Sequence, residues 1–324
     1  MPQLASPALT GTPLGVDLFS IRSSGFNAFQ FLDHAAKLGA QVVHFSEIRF
    51  LGSLEDEHLR KVKAHADSIG IRIEAGMRSI CPTSKLFDAK QGTAEEQITK
   101  MLHAAKLLGS PIVRCFLGSS NDRPLEQHME SMVKVLRTVR SRVLDSGIKI
   151  AVENHSGDMQ GWELKMLIEA AGKDFVGAVI DSGNPLWTLE DPQVTLETLA
   201  PYALTSHVRD SRVWLTDTGV SVAWTRMGEG NVAIDEWVKK YRQLCPGKAL
   251  SLEIIVTGAR PFAILDEKFW EPYRAIPAWN LARFLAIAKR GSPIEARTVP
   301  KERQAQQEIE DLAASAEYTK RLLA

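Results

Sequence analysis

A rhythm constrains this chain more than any single motif: short β-rich runs alternate with amphipathic stretches over most of its length. The runs are LGVDLFS (14–20), AQVVHFSE (40–47), IRIEAGMR (71–78), SPIVRCFLG (110–118), IKIAVENH (148–155), VGAVIDSGN (176–184), LTSHVRDS (204–211) and LSLEIIV (250–256). Stretches such as AFQFLDHAAKLG and EEQITKMLHAAKLLG carry apolar residues at helical spacing and close on glycine. Repeated strand–helix units imply parallel strands with right-handed crossovers. Eight of them, ending in the helix PAWNLARFLAIAKRG, predict an α/β fold, a single (β/α)8 TIM barrel. An open doubly wound sheet is the runner-up. It would carry a phosphate-binding glycine motif after its first strand, and LFSIRSSGFN is not one. The expected organisation is a tail (1–13), a catalytic barrel (14–290) and a C-terminal helical extension (291–324).

Composition narrows the function. Lys plus Arg and Asp plus Glu both number 39, so no net field favours nucleic acid or an anionic membrane. Apolar runs fall far short of the ~20 residues that span a bilayer. The start MPQLASPALTGTPLG lacks the pattern of a secretory signal. Cys81, Cys115 and Cys245 are widely spaced and form no CxxC pair, which reads as reduced thiols in a cytoplasmic protein. After the seventh run, TDTG reads as the turn of a short hairpin. The stretch after Gly291 reads as a linker and a charged, Ala-rich helix, an arm for docking or for pairing two copies.

In a barrel, residues at the C-terminal strand ends converge on one pocket. Runs five to eight place Glu153, Asp181, His207 and Glu253 there. A strand-end Asp is often only a helix cap, and a lone His is often a satisfied core residue. Four ionisable groups on four successive strands are harder to explain that way, because buried charge is costly unless paired. Three carboxylates and an imidazole, with no thiolate, suit one divalent ion such as Mn²⁺, Mg²⁺ or Co²⁺.

The motifs VENH, VIDSGN, SHVRDS, MGEGNVAID and LEIIV also resemble the xylose-isomerase-like TIM-barrel superfamily. The similar branch comprises sugar-phosphate isomerases and epimerases, including tagatose and psicose 3-epimerases. The resemblance covers about residues 14 to 290. It implies that Glu153, Asp181, His207 and Glu253 bind the metal and that Glu153 and Glu253 act as acid and base. The residue three after the metal-binding Asp is usually a substrate-binding His in the ketose epimerases; here it is Asn184.

Such a pocket acidifies the C–H between a chelated carbonyl and hydroxyl and supports an enediolate. Proton return gives epimerisation or isomerisation. Loss of water or CO₂ from the same kind of intermediate gives a lyase. Arginines at strand C-termini, Arg114 first, then Arg78 and Arg209, favour an anionic substrate, a sugar acid or sugar phosphate. His155, His44 and Asn184 complete the expected substrate contacts. The reading is thus a metal-dependent isomerase or epimerase of an oxo-sugar derivative. A decarboxylase or dehydratase of a 3-oxo sugar acid is the alternative, and a non-catalytic sugar-binding barrel comes third. An abasic-site endonuclease is disfavoured, because it needs further His and Asp ligands and a basic track.

Overall fold

The computed structural model describes residues 11–324 apart from residue 296. The expected tail, 1–13, therefore lies largely outside the described residues. Eight parallel strands close into a barrel: β1 (Leu14–Asp17), β2 (Val42–Phe45), β3 (Arg72–Ser79), β4 (Ile112–Phe116), β5 (Lys149–Glu153), β6 (Val176–Asp181), β7 (Ala203–Val208) and β10 (Leu250–Leu252). The order follows the chain, with β10 pairing β7 on one side and β1 on the other. Val- and Ile-rich runs suit strands covered on both faces, and β2, β4 and β6 are buried throughout.

Helices α1 (Ala28–Lys37), α2 (Asp56–Ser68), α3 (Ala94–Leu108), α4 (Glu126–Ser146), α5 (Gly161–Ala171), α6 (Pro192–Leu199) and α7 (Ile234–Leu244) cover the barrel. Asn27 and Thr93 close capping boxes at the starts of α1 and α3, satisfying backbone donors that a helix leaves unpaired. Gly39, Gly70 and Gly109 take positive φ just past α1, α2 and α3, as their helix-stop pattern implies.

The expected hairpin is present. Strands β8 (Asp210–Thr216) and β9 (Gly219–Thr225) pair antiparallel, and β11 (Arg260–Phe262) from the following long loop adds a third strand. The eighth helix differs from expectation. Helix α8 (Ala278–Ala288) packs on β8, and Phe284 and Ile287 join Val213, Val220 and Val222 in a second apolar cluster. The place outside β10, beside α7, is taken by α9 (Gln304–Leu323), whose Leu312 and Ala316 enter the main core. The C-terminal segment, expected as an arm for docking or for pairing two copies, packs on its own barrel.

Several polar clasps hold α9. Glu308 accepts from the Ser23 amide at 2.8 Å and the Ser23 hydroxyl at 2.9 Å. Asp311 accepts from Arg226 Nε at 2.8 Å and Arg297 at 2.9 Å. The MGEG loop is fixed from two sides. Gly228 and Gly230 amides donate to Asp210 Oδ2 at 3.0 and 2.8 Å, while a Cβ at Gly228 would stand 2.3 Å from the Tyr318 ring. Gly228 has positive φ, but Gly230 is small for a different reason: a Cβ there would lie 2.0 Å from Asp210 Oδ1.

Candidate active site

Four adjacent strands bring the expected cluster together. Glu153 ends β5, Asp181 ends β6, His207 lies near the end of β7, and Glu253 follows β10. Asp181 pairs with His207 in the β6–β7 register, and the Glu253 amide donates to Val208 carbonyl at 3.0 Å. One donor atom from each of the four lies within 4.8 Å of every other, and all four residues are buried.

The side chains are locked from behind. Asn154 splints β5 to β6, accepting from the Asp181 amide at 2.9 Å and donating to its carbonyl at 3.1 Å. Asp181 Oδ1 accepts from the amides of Gly183 and Asn184 at 2.7 and 2.6 Å, which turns Oδ2 toward Arg209 and the centre. His207 turns Nδ1 toward Glu153 and Glu253, 3.1 and 3.4 Å away, and Nε2 toward His44 Nδ1 at 2.8 Å. Asp17 Oδ2 lies 3.5 Å from the same His207 nitrogen.

Two guanidiniums balance part of the charge. Arg114 Nε donates to Glu153 Oε2 at 2.6 Å, and its Nη1 reaches the carbonyls of Met77 and Ser46 at 3.3 and 3.5 Å. Arg209 bridges Asp181 and Glu253. Burial works to raise Glu153, but Arg114 and His207 outweigh it and hold the carboxyl well below its usual range. Burial also opposes ionisation of Glu253, yet Arg209 and His207 bring it to about 2. Asp181 is pushed up to about 7, first by burial and then by Glu253 and Glu153, against the pull of Arg209. Asp17 is raised to about 7, chiefly by burial. Burial would lower His207, but Glu153, Asp17 and Glu253 raise it well above the ordinary imidazole value.

This environment fits a divalent cation. Three carboxylates face two guanidiniums, Asp17 adds a fourth acid, and His207 Nδ1 has no hydrogen-bond partner although it points at the carboxylates. A cation among the four donors would satisfy that nitrogen and discharge the acid excess. Oxygen-rich donors with one imidazole match Mn²⁺, Mg²⁺ or Co²⁺ better than a thiolate-loving ion.

Above the cluster opens a cavity of about 280 Å³, lined by Phe19, Ser46, Arg78, Arg114, Phe116, Glu153, His155, Asn184, Trp187, Arg209, Trp224 and Glu253, among others. Most expected substrate contacts are on this wall. His44 is not: strand pairing sets it in the layer beneath, fully buried behind His207, so it touches a ligand of the centre rather than the cavity. Arg114, the first of the expected anion contacts, serves another purpose. Its Nε and Nη1 are already committed to Glu153 and backbone carbonyls, so it positions Glu153. Arg78 is solvent-facing on the wall and, among the described residues, makes no ion pair. Asn184, one of the expected substrate contacts, donates Nδ2 to Glu153 Oε1 at 3.2 Å and leaves Oδ1 without a partner.

His155 stacks on Phe116 with centroids 3.8 Å apart, and its Nδ1 lies 2.7 Å from Gly118 carbonyl. A carbonyl only accepts, so Nδ1 carries the proton and Nε2 keeps its lone pair. Trp187 and Trp224 stack at 4.2 Å, with Arg260 3.9 Å from Trp187 and Arg209 4.4 Å from Trp224. These contacts occupy indole faces that a sugar would otherwise use. Sequence reasoning missed Asp17, Asn154 and Asp210. Asp17 had a signal: it ends its strand in GVD just as Asp181 ends VID.

No helix among the described residues is long and apolar enough to cross a membrane. A 3-oxo-isoapionate decarboxylase from Pectobacterium atrosepticum is 22% identical over 179 residues, 55% of this chain and 59% of that protein. The match thus spans about three fifths of the relative's length. Among solved structures, a xylose isomerase domain protein from Planctomyces limnophilus aligns with TM-score 0.64 and 15% identity, covering 96% of this chain and 97% of the other. A D-psicose 3-epimerase from Clostridium cellulolyticum H10, crystallised with D-tagatose, aligns at 0.62 and 13% identity, covering 94% and 98%. The sequence profile described as xylose isomerase-like TIM barrel matches residues 21–268. That span takes in every strand of the barrel but β1 and all four residues of the acidic cluster, and the chain accordingly belongs to the xylose isomerase-like TIM-barrel family.

Proposed function

We propose that the chain is a divalent-metal-dependent lyase that removes CO₂ from an anionic 3-oxo sugar acid. The observation that carries this reading is the pairing of both glutamates with arginine: Arg114 holds Glu153, and Arg209 holds Glu253. Epimerisation asks one carboxylate to take a proton from carbon and another to return one. A carboxylate neutralised by a guanidinium is a weak base for that task. Decarboxylation asks for no base.

Glu153, Asp181, His207 and Glu253 would hold the divalent ion, which would supply Lewis-acid stabilisation of the negative charge that develops on the substrate. The bond between the carboxyl carbon and the α-carbon then breaks. Its electron pair passes into the enolate, CO₂ leaves, and the α-carbon takes a proton from an exchangeable group in the cavity. Asn184 and Arg114 hold Glu153 in place, and Arg209 does the same for Asp181 and Glu253. The partial relative acts on a 3-oxo acid by its name, which agrees with this chemistry.

An isomerase or epimerase is the second reading, favoured by the two glutamates in one four-donor cluster and by a fold shared with a D-psicose 3-epimerase. Incubating the Mn²⁺-loaded protein with oxo-sugar acids in D₂O separates the two by NMR. The lyase yields a product one carbon shorter with one deuterium at the former α-carbon. Recovery of intact substrate with an exchanged or inverted centre would establish the isomerase instead.

A further inference from the structure

We infer that Arg78 and Asn184 form a recognition pair for a hydroxylated monocarboxylate, so that the substrate is a sugar acid and not a sugar phosphate. The inference deepens the proposed function and rests on its anionic substrate. It follows from asking which polar groups on the cavity wall remain uncommitted. Glu47 is paired with Arg49 at 2.5 Å. Arg114 is tied to Glu153, and Arg209 to Asp181 and Glu253. Arg78 alone among the charged wall residues has no opposite charge within ion-pair distance among the described residues. A single unpaired guanidinium matches a carboxylate, whose two oxygens accept its parallel donors. A phosphate dianion would bring two negative charges to that single unpaired guanidinium and leave one of them without a counter-charge on the wall, because the floor's acid excess is already matched by the cation.

Asn184 supplies the complementary feature. Its Nδ2 is held by Glu153, and its Oδ1 is a buried acceptor without a donor. An unmet buried acceptor is costly, so the site calls for a donor there. A substrate hydroxyl provides one. Anionic at one end and donating at the other, the ligand is a hydroxy acid with its carboxylate toward Arg78 and a hydroxyl beside Glu153.

Three non-reacting probes test this without turnover: D-ribonate, ribitol and ribitol phosphate, titrated calorimetrically into the Mn²⁺-loaded protein. Wild type should bind ribonate more tightly than either of the others. Arg78→Ala should weaken ribonate roughly ten- to a hundredfold and leave ribitol unchanged, since one charge-assisted contact is lost. Arg78→Lys should restore part of the loss, because it keeps the charge but not the fork. Asn184→Leu should weaken ribonate and ribitol alike. The inference fails if ribonate does not bind, if Arg78→Ala binds it as wild type does, or if ribitol phosphate binds more tightly through Arg78. CO₂ release with no Arg78 dependence of ribonate binding would keep the lyase and discard the anchor. Arg78-dependent ribonate binding without CO₂ release from any oxo acid would do the reverse.

Discussion

At the scale of single residues, much of the site lies in what stands behind the ligands. His44 accepts from His207 when Nδ1 of His207 faces a metal, and so fixes the ring's orientation and tautomer. His44→Ala should weaken Mn²⁺ binding by about ten- to a hundredfold, measured by titration of the metal-free protein. Unchanged affinity would reduce His44 to packing. Glu190 tests a different kind of burial. Its carboxyl accepts from the Gly161 amide at 2.8 Å, Thr195 at 2.6 Å and Asn280 at 3.1 Å, and burial pushes it up to about 7. A carboxyl raised in the folded state keeps its proton where the unfolded chain has lost it. Its contribution is therefore full below about pH 4.5 and declines as pH rises to about 7. Urea denaturation of Glu190→Gln should show less loss of stability between pH 5 and pH 8 than wild type.

Elements carry their own lesson. Helix α9 completes the barrel wall, and Leu312 at its centre is fully buried. Leu312→Ala should cost about 2–5 kcal/mol in urea unfolding, as for other core truncations. An exposed arm would show almost nothing. The strands were legible because buried β-runs bounded by helix stops leave a strong periodic trace, and the acidic cluster was legible because its four residues lie at or near the C-terminal ends of successive barrel strands. The exchange of α8 for α9 was not. Both segments are amphipathic, and periodicity reports that a helix has an apolar face without naming the surface that receives it. The same limit applies to the arginines. Position at a strand C-terminus marked Arg78, Arg114 and Arg209 alike; all three line the cavity, and only the folded distances separate the two that brace carboxylates from the one that makes no ion pair among the described residues.

For the molecule as a whole, the acidic centre ties stability to metal and pH. Asp17 and Asp181 both rise to about 7, so the metal-free protein should lose stability as pH climbs from about 4 to about 7. Glu253 works the other way only as pH falls toward about 2; His44 and His155, held below the ordinary imidazole value by burial, oppose the trend around pH 6.5, while His207, raised well above it, adds to the loss at higher pH. Calorimetry in EDTA should therefore give a lower Tm at pH 8 than at pH 5, and saturating Mn²⁺ should recover most of the difference. At a hundredfold excess over Kd the ion adds about 2.7 kcal/mol. A Tm indifferent to Mn²⁺ at pH 8 would contradict the cation reading.

The return of α9 to the side of β1 also sets an order of events during synthesis. Ser23 waits for Glu308, a partner 285 residues away, and the gap outside β10 stays open until residues 304–323 have been made. At ~5–20 residues per second, the stretch from Glu253 to Leu323 takes several seconds to appear. Through that interval the nascent barrel would carry the whole acidic cluster but show an uncovered apolar seam. Chaperone capture and misassembly between neighbouring chains should be concentrated in that window, and a ribosome stalled between Gly291 and Lys301 would hold the chain in it.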